Sequence, residues 1–330
     1  VRALRLGTRR SALATTQSGW VADLLRRGGH EVELVEITTH GDVSRAPLAT
    51  IGGTGVFVSA LREALVADGV DLAVHSLKDL PTSPADGLAL AAVPAREDPR
   101  DVLVASGGRT LAQLPAGARV GTGSPRRRAL LQALRPDLEV VAVRGNIDTR
   151  IGLATSGELD AVVLAAAGLA RTGRLAEATE VFDADVFVPA PGQGALAVEC
   201  RADDAEVVAA LAALDSPADR LAVAAERQVL SGLEAGCSAP VGAHARALEG
   251  ELDLRVVVQA PSGELARRAV RAPAADEGAA RELGAAVAAD LLAAVFGGRS
   301  PRAPAAAGGT QDHPQDRPDD GPRPDSESGS

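Results

Sequence analysis

Over the first ninety or so residues, short apolar runs of strand character alternate with longer stretches whose apolar positions recur at helical spacing. The run ALRLG (3–7) is followed by SALATTQSGWVADLLRRG (11–28) and then EVELVEIT (31–38). In the middle segment Leu13, Gln17, Trp20, Val21, Leu24 and Leu25 fall near helical spacing, and Gly28-Gly29 ends the pattern. A Gly-rich turn, IGGTG (51–55), leads into VSALREALVADG (58–69) and the strand DLAVHS (71–76). This alternation predicts helices covering a parallel sheet.

The pattern breaks in the charged, proline-flanked PAREDPRD (94–101) and restarts with DVLVAS, ARVGTGS, a helix from Pro125, LEVVAVRG, another helix and LDAVVLAA, the grammar of a second α/β domain. Pro189, Pro191 and two glycines punctuate VPAPGQGALAVEC (188–200) before an apolar strand that is expected to return to the first sheet. From about 216 a helix precedes VGAHARAL, ELDLRVVVQA and ELARRAVRAP, separated by turn signals at Glu249-Gly250 and Pro261-Ser262-Gly263. Those runs predict an antiparallel three-stranded meander covered by the helix at 276–296. Beyond Gly297 the chain has almost no apolar anchor and is expected to be disordered. The domains expected are therefore 1–95 with 190–214, 99–189, and 216–297, with a tail at 298–330.

Composition sharpens this. Hydrophobic residues are 46% but aromatics only 2%, so the cores must be built from Ala, Val and Leu. Lys78 is the only lysine; a lone ammonium among many guanidinium groups marks a position where a planar fork does not serve. The net charge of -10 argues against a general nucleic-acid binder. No apolar run matches a signal-peptide core or a membrane span, which predicts a cytoplasmic protein with no membrane partner. Two cysteines without metal-ligand spacing predict free thiols and no metal site.

The candidate chemistry gathers at strand ends, where ligands bind in open α/β sheets. HSLKDLP (75–81) offers Lys78 and Asp79; the carboxylate can hold ligand N–H groups and stabilise developing positive charge, or simply form a loop ion pair or a helix cap. His75 reads as a packed strand residue. Arg9, Arg126, Arg127, Arg144, Arg150 and Arg171 each follow a strand or open a helix, and a converging set of arginines predicts a ligand rich in carboxylates or phosphates. In GTGSPRRR (121–128), Ser124 can cap and Pro125 suits the first helical position, so backbone N–H groups would face an anion. The IGGTG turn lacks the Lys-Ser or Lys-Thr of a nucleotide-binding loop, and no strand is followed by G-x-G-x-x-G. Cys237, in the loop LEAGCSAPVG, is placed to be a nucleophile or an inert thiol, whereas Cys200 reads as buried. On these residues alone, a two-domain anion-binding protein and a transferase acting through Cys237 both stay open.

In order and spacing, TRRSALA (8–14), HSLKDLP, REDPRD (96–101), VGTGSPRR, VRGNIDTR (143–150), LAAAGLAR, PGQGALAVEC and EAGCSAPVG resemble the motifs of the porphobilinogen deaminases, or hydroxymethylbilane synthases, over about residues 3 to 297. The resemblance implies two α/β domains like those of type II periplasmic binding proteins and a smaller α/β domain carrying a three-stranded antiparallel sheet. It also implies a transferase of tetrapyrrole and haem biosynthesis, monomeric, whose small-molecule substrate is porphobilinogen. Four substrate molecules would be joined head to tail with loss of ammonia on a covalent dipyrromethane cofactor, and hydrolysis would release hydroxymethylbilane. Cys237 would hold the dipyrromethane through a thioether, and Asp79 would be the catalytic carboxylate. Arg9, Ser11, Ser76, Lys78, Ser124, Arg126, Arg127, Arg144, Arg150, Arg171 and Gln193 fall at matching positions for the acidic side chains of cofactor and substrate. The chain departs from the family in the Gly-rich loop, where Thr50 and Thr54 stand in place of lysines and less positive charge is expected.

Overall fold

The computed structural model describes residues 2–38, 55–234 and 239–297. Thr50, Thr54, Cys237 and the tail from 298 lie outside the described residues.

The chain opens with β1 (Leu4–Thr8), α1 (Ala12–Arg27), β2 (Val32–Glu36), α2 (Gly55–Val66), β3 (Leu72–Ser76) and β4 (Leu88–Ala92). α1 starts where the Ser11 hydroxyl accepts from the Ala14 N–H, and its last turn carries Arg26 and Arg27 against the negative end of the helix dipole. Its buried face, Val21, Ala22 and Leu25, packs on Leu4, Leu6, Leu72 and Val74 of the sheet. A second group follows: β5 (Asp101–Ala105), β6 (Arg119–Gly121), α3 (Pro125–Leu134), β7 (Glu139–Val141), α4 (Ile147–Thr155), β8 (Ala161–Ala165), α5 (Ala166–Arg171) and β9 (Glu180–Val181). β10 (Leu196–Arg201) and α6 (Ala205–Ala212) come next, then α7 (Pro217–Gly232), β11 (Val241–Leu248), β12 (Glu251–Gln259), β13 (Leu265–Pro273) and α8 (Glu277–Phe296).

Three sheets result, with strand orders β2-β1-β3-β10-β4, β7-β6-β8-β5-β9 and β11-β12-β13. The return strand expected after Gln193 is β10, and it enters the first sheet between β3 and β4. The first sheet is mixed rather than parallel, because β10 runs antiparallel to both neighbours. The second is mixed as well, with β5 antiparallel to β8 and β9. The third is the antiparallel meander the alternation predicts, and α7 and α8 cover it over Val229, Leu230, Leu252, Leu254, Val256 and Leu291. Small residues let these helices close up: a Cβ at Gly284 would lie 2.4 Å from the Ala225 carbonyl oxygen.

The antiparallel strands decide where chemistry collects. Leu196, at the start of β10, pairs with Ser76, at the end of β3. Asp101, at the start of β5, pairs with Ala165, at the end of β8. Each sheet thus gathers at one edge the outgoing ends of its parallel strands and the incoming end of its antiparallel strand. The segments crossing between the sheets are fastened to the third by Glu226 of α7, fully buried. Arg96 donates to both its carboxylate oxygens, at 2.7 and 3.0 Å. The backbone N–H groups of Gly192 and Ala245 add bonds of 2.7 and 2.8 Å. Burial alone would raise the Glu226 carboxyl, but Arg96 and His244 hold it down at about 2.

Candidate active site

Lys78 and Asp79 sit together on a short 3-10 turn, Leu77–Asp79, directly after β3. The fully buried Leu77 anchors the turn, and its N–H donates to the Ala195 carbonyl at 3.0 Å. From α7, Arg227 donates to the carbonyl oxygens of Leu80 and Pro81, at 3.0 and 2.7 Å, holding the far end. Lys78 and Asp79 are half-buried, and among the described residues neither forms an ion pair or a side-chain hydrogen bond. The loop-ion-pair and helix-cap readings of the motif therefore do not describe this turn. Burial pushes the Lys78 ammonium down to about 8; Arg127 and Arg126 push the same way, and Asp79 and Asp101 oppose them.

Across from this turn stands the start of α3. Ser124 accepts from the Arg127 N–H at 3.4 Å, and Pro125 occupies the first helical turn, as the sequence predicts. Arg126 and Arg127 are buried and share the carboxylate of Asp101, itself fully buried. Arg127 Nε donates to Asp101 Oδ1 at 3.0 Å and Nη1 to the Val163 carbonyl at 2.8 Å. Arg126 Nη1 lies 2.8 Å from Asp101 Oδ2 and donates to the Val188 carbonyl at 2.7 Å. Gln193 Nε2 completes the cluster at 2.9 Å from Asp101 Oδ1. Burial would raise the Asp101 carboxyl, but the two arginines hold it at about 2, while burial lowers Arg126 from its ordinary value.

The remaining sequence candidates divide. Arg150 is half-buried, its Nε has no hydrogen-bond partner, and burial and Arg127 lower its pKa while the Asp79 charge opposes. Arg171 donates to the Gly194 carbonyl at 2.7 Å, which brings the end of α5 against the segment leading into β10. Ser76 Oγ accepts from Gln17 Nε2 at 2.9 Å, and Ser11 caps α1 beside half-buried Arg9, so these three share the edge formed by the ends of β1 and β3. Arg144 is exposed and has no ion pair or side-chain hydrogen bond among the described residues. His75 is packed as expected, with Nε2 3.2 Å from Glu199 Oε2. Burial pushes the Cys200 thiol up to about 11, as suits an inert core cysteine. Sequence reasoning missed Asp101 as a partner of the arginines and Gln17 as a partner of Ser76. The only signal for Asp101 was its place at the end of the REDPRD motif.

The donors left over define what fits. Buried N–H groups without acceptors are costly, and Arg126 Nε and Arg150 Nε are both in that state. A chain of acidic pyrroles offers carboxylate acceptors for these donors and N–H groups for the free carboxylate of Asp79, so the residues present suit a dipyrromethane. Residues 4–209 match the family model "Porphobilinogen deaminase, dipyromethane cofactor binding domain", and residues 220–293 match "Porphobilinogen deaminase, C-terminal domain". The chain belongs to the porphobilinogen deaminase family. It is 58% identical over 304 residues to porphobilinogen deaminase 1 of Streptomyces coelicolor, covering 88% of this chain and 95% of that protein. It is 60% identical over 268 residues to the deaminase of Thermobifida fusca, covering 80% of this chain and 84% of its relative. Among solved structures, the chain resembles a putative methionine-binding lipoprotein of Bacillus subtilis at a TM-score of 0.40 and 14% identity, over 64% of this chain and 89% of that one. The chain thus carries porphobilinogen deaminase activity and a dipyrromethane-binding domain. No helix among its described residues is long and apolar enough to cross a membrane.

Proposed function

We propose that this chain performs the stepwise head-to-tail condensation of four porphobilinogen molecules, with Asp79 as the catalytic carboxylate and Cys237 as the point of cofactor attachment. The observation that carries the reading is the pairing of a free carboxylate, Asp79, with a cluster of cations whose donors lack acceptors. When bound, the dipyrromethane supplies the free α-carbon at which the growing chain is extended. Lys78, Arg126, Arg127 and Arg150 bind acetate and propionate side chains through charge-assisted hydrogen bonds. Arg9, Ser11, Ser76, Ser124, Arg144, Arg171 and Gln193 are proposed, from the family resemblance, to take the remaining polar groups of cofactor and substrate. Asp79 accepts pyrrole N–H groups and stabilises the cation that develops as porphobilinogen loses ammonia. Its half-buried position strengthens that interaction relative to water.

The three sheets support a division into domains at 1–95 with 190–214, 99–189, and 216–297; that the chain acts as a cytoplasmic monomer is what the family resemblance implies. In the sequence Cys237 lies between α7 and β11, on the third of these. The test is the intact mass of the purified protein, with peptide mapping around Cys237 and a reaction with Ehrlich's reagent. Added mass of two linked pyrroles on Cys237 is expected, and Cys237→Ser is expected to yield no stable holoenzyme. A chain still unmodified after incubation with porphobilinogen would overturn the reading.

A further inference from the structure

We infer that Asp101 is a positioning residue that holds Arg126 and Arg127 in place for the acidic groups of cofactor and substrate and ties them to the segment crossing between the two sheets. This rests on the reading of the arginines given above. Asp101 is the first residue of β5, and because β5 is antiparallel its side chain arrives at the edge where β8 ends. No solvent reaches it. One oxygen, Oδ1, faces Arg127 twice, at 3.0 Å from Nε and 2.7 Å from Nη2, and receives Gln193 Nε2 at 2.9 Å. The other, Oδ2, faces Arg126 Nη1 at 2.8 Å. Gln193 Nε2 also donates to the Pro99 carbonyl at 2.7 Å, so both crossing segments meet at this carboxylate.

The division of donors gives the carboxylate its purpose. A guanidinium has five N–H groups. Arg127 donates Nε to Asp101 and Nη1 to the Val163 carbonyl, and its Nη2 lies 2.7 Å from Asp101 Oδ1 as an ion pair, which leaves N–H groups on both Nη atoms. Arg126 donates Nη1 to the Val188 carbonyl and holds it 2.8 Å from Asp101 Oδ2 as an ion pair, keeps Nε without a partner, and stands over the Phe187 ring at 5.9 Å. Both buried side chains are thus fixed by Asp101 and main-chain carbonyls while keeping N–H groups that those contacts do not use. Charge follows the same logic. Lys78, Arg126, Arg127 and Arg150 bring four positive charges against the two negative charges of Asp79 and Asp101. Asp101 offsets enough repulsion to keep two guanidinium groups buried side by side, while the cluster retains the excess that an acidic ligand neutralises.

The test is Asp101→Asn in the full-length holoenzyme, a change that keeps the shape and removes the charge. Intact mass reads cofactor content, steady-state kinetics read KM and kcat separately, and hydrogen exchange at the arginine Nε–H groups by NMR reads the geometry without turnover. KM for porphobilinogen is expected to rise about tenfold or more, the order of one charge-assisted hydrogen bond, with a smaller fall in kcat. The Arg127 Nε–H, protected in the wild type, is expected to exchange rapidly in the variant. A merely structural residue would reduce the folded fraction and leave KM and Arg127 exchange of that fraction unchanged, and that result overturns the assignment. If Asp101→Asn does not fold, the Asp101→Asn/Arg126→Gln pair restores the charge balance, and retained protection of Arg127 in it overturns the assignment equally. A wild-type chain without dipyrromethane or turnover would overturn the underlying reading as well; a normal wild type beside a normal variant overturns the role of Asp101 alone.

Discussion

Glu226→Gln is the perturbation whose consequence the structure sets most closely. The glutamate is fully buried and takes four N–H donors: two from Arg96 and one each from the backbone of Gly192 and Ala245. Glutamine keeps the volume but leaves the buried Arg96 guanidinium uncompensated, and its amide NH2 group faces donors where an acceptor is needed. Breaking a buried pair on one side costs about 3–5 kcal/mol. The carboxyl has the matching sign: Arg96 and His244 hold it below its ordinary 4.5 despite burial. A melting point lower by roughly 5–10 °C follows. The sign with pH is fixed too. A depressed carboxyl stabilises fully above its unfolded value and loses that contribution as pH falls towards about 2, so variant and wild type should converge in stability in acid. Equilibrium unfolding followed by far-UV circular dichroism and by the single tryptophan, Trp20 on α1, measures both quantities. Because Glu226 joins the third sheet to the crossing segments, the two probes should also separate in the variant where they coincide in the wild type. A variant melting within a degree or two of wild type, with coincident probes, would refute the clamp.

Two further outcomes are expected at the site. Asp79→Ala should stay folded and retain its cofactor while kcat falls at least about 10²-fold, the scale of removing one preorganised charge-stabilising group; near-normal turnover would remove Asp79 from its role. For Lys78, whose ammonium is pushed down to about 8 from an ordinary 10.5, the ligand-free protein gains stability as pH rises between those values. Its positive charge for binding is lost over the same range. KM for porphobilinogen should therefore rise above about pH 8 in the wild type, and this limb should disappear in Lys78→Arg. An identical alkaline limb in both proteins would show that another group titrates.

The sequence by itself determined the local elements and the kinds of residue at strand ends. Periodicity located α1, the turn at Pro125 and the antiparallel meander, because each buries a face whose spacing is written in a contiguous stretch. Ser11 and Ser124 were legible as caps for the same reason, since a cap acts on the turn that follows it. The lone lysine pointed to the turn that also carries Asp79. Tertiary structure alone decided how those parts meet. Nothing local reveals that β10 and β5 run against their neighbours, yet that reversal places Gln193 and Asp101 at the edges where Ser76 and Ala165 end. Nor does a list of arginines distinguish Arg127, anchored to Asp101 from 26 residues away, from Arg144, which stands in solvent. Partners distant in sequence are chosen by packing, and packing is also what strips water from Asp101 and Glu226 and makes their charges decisive.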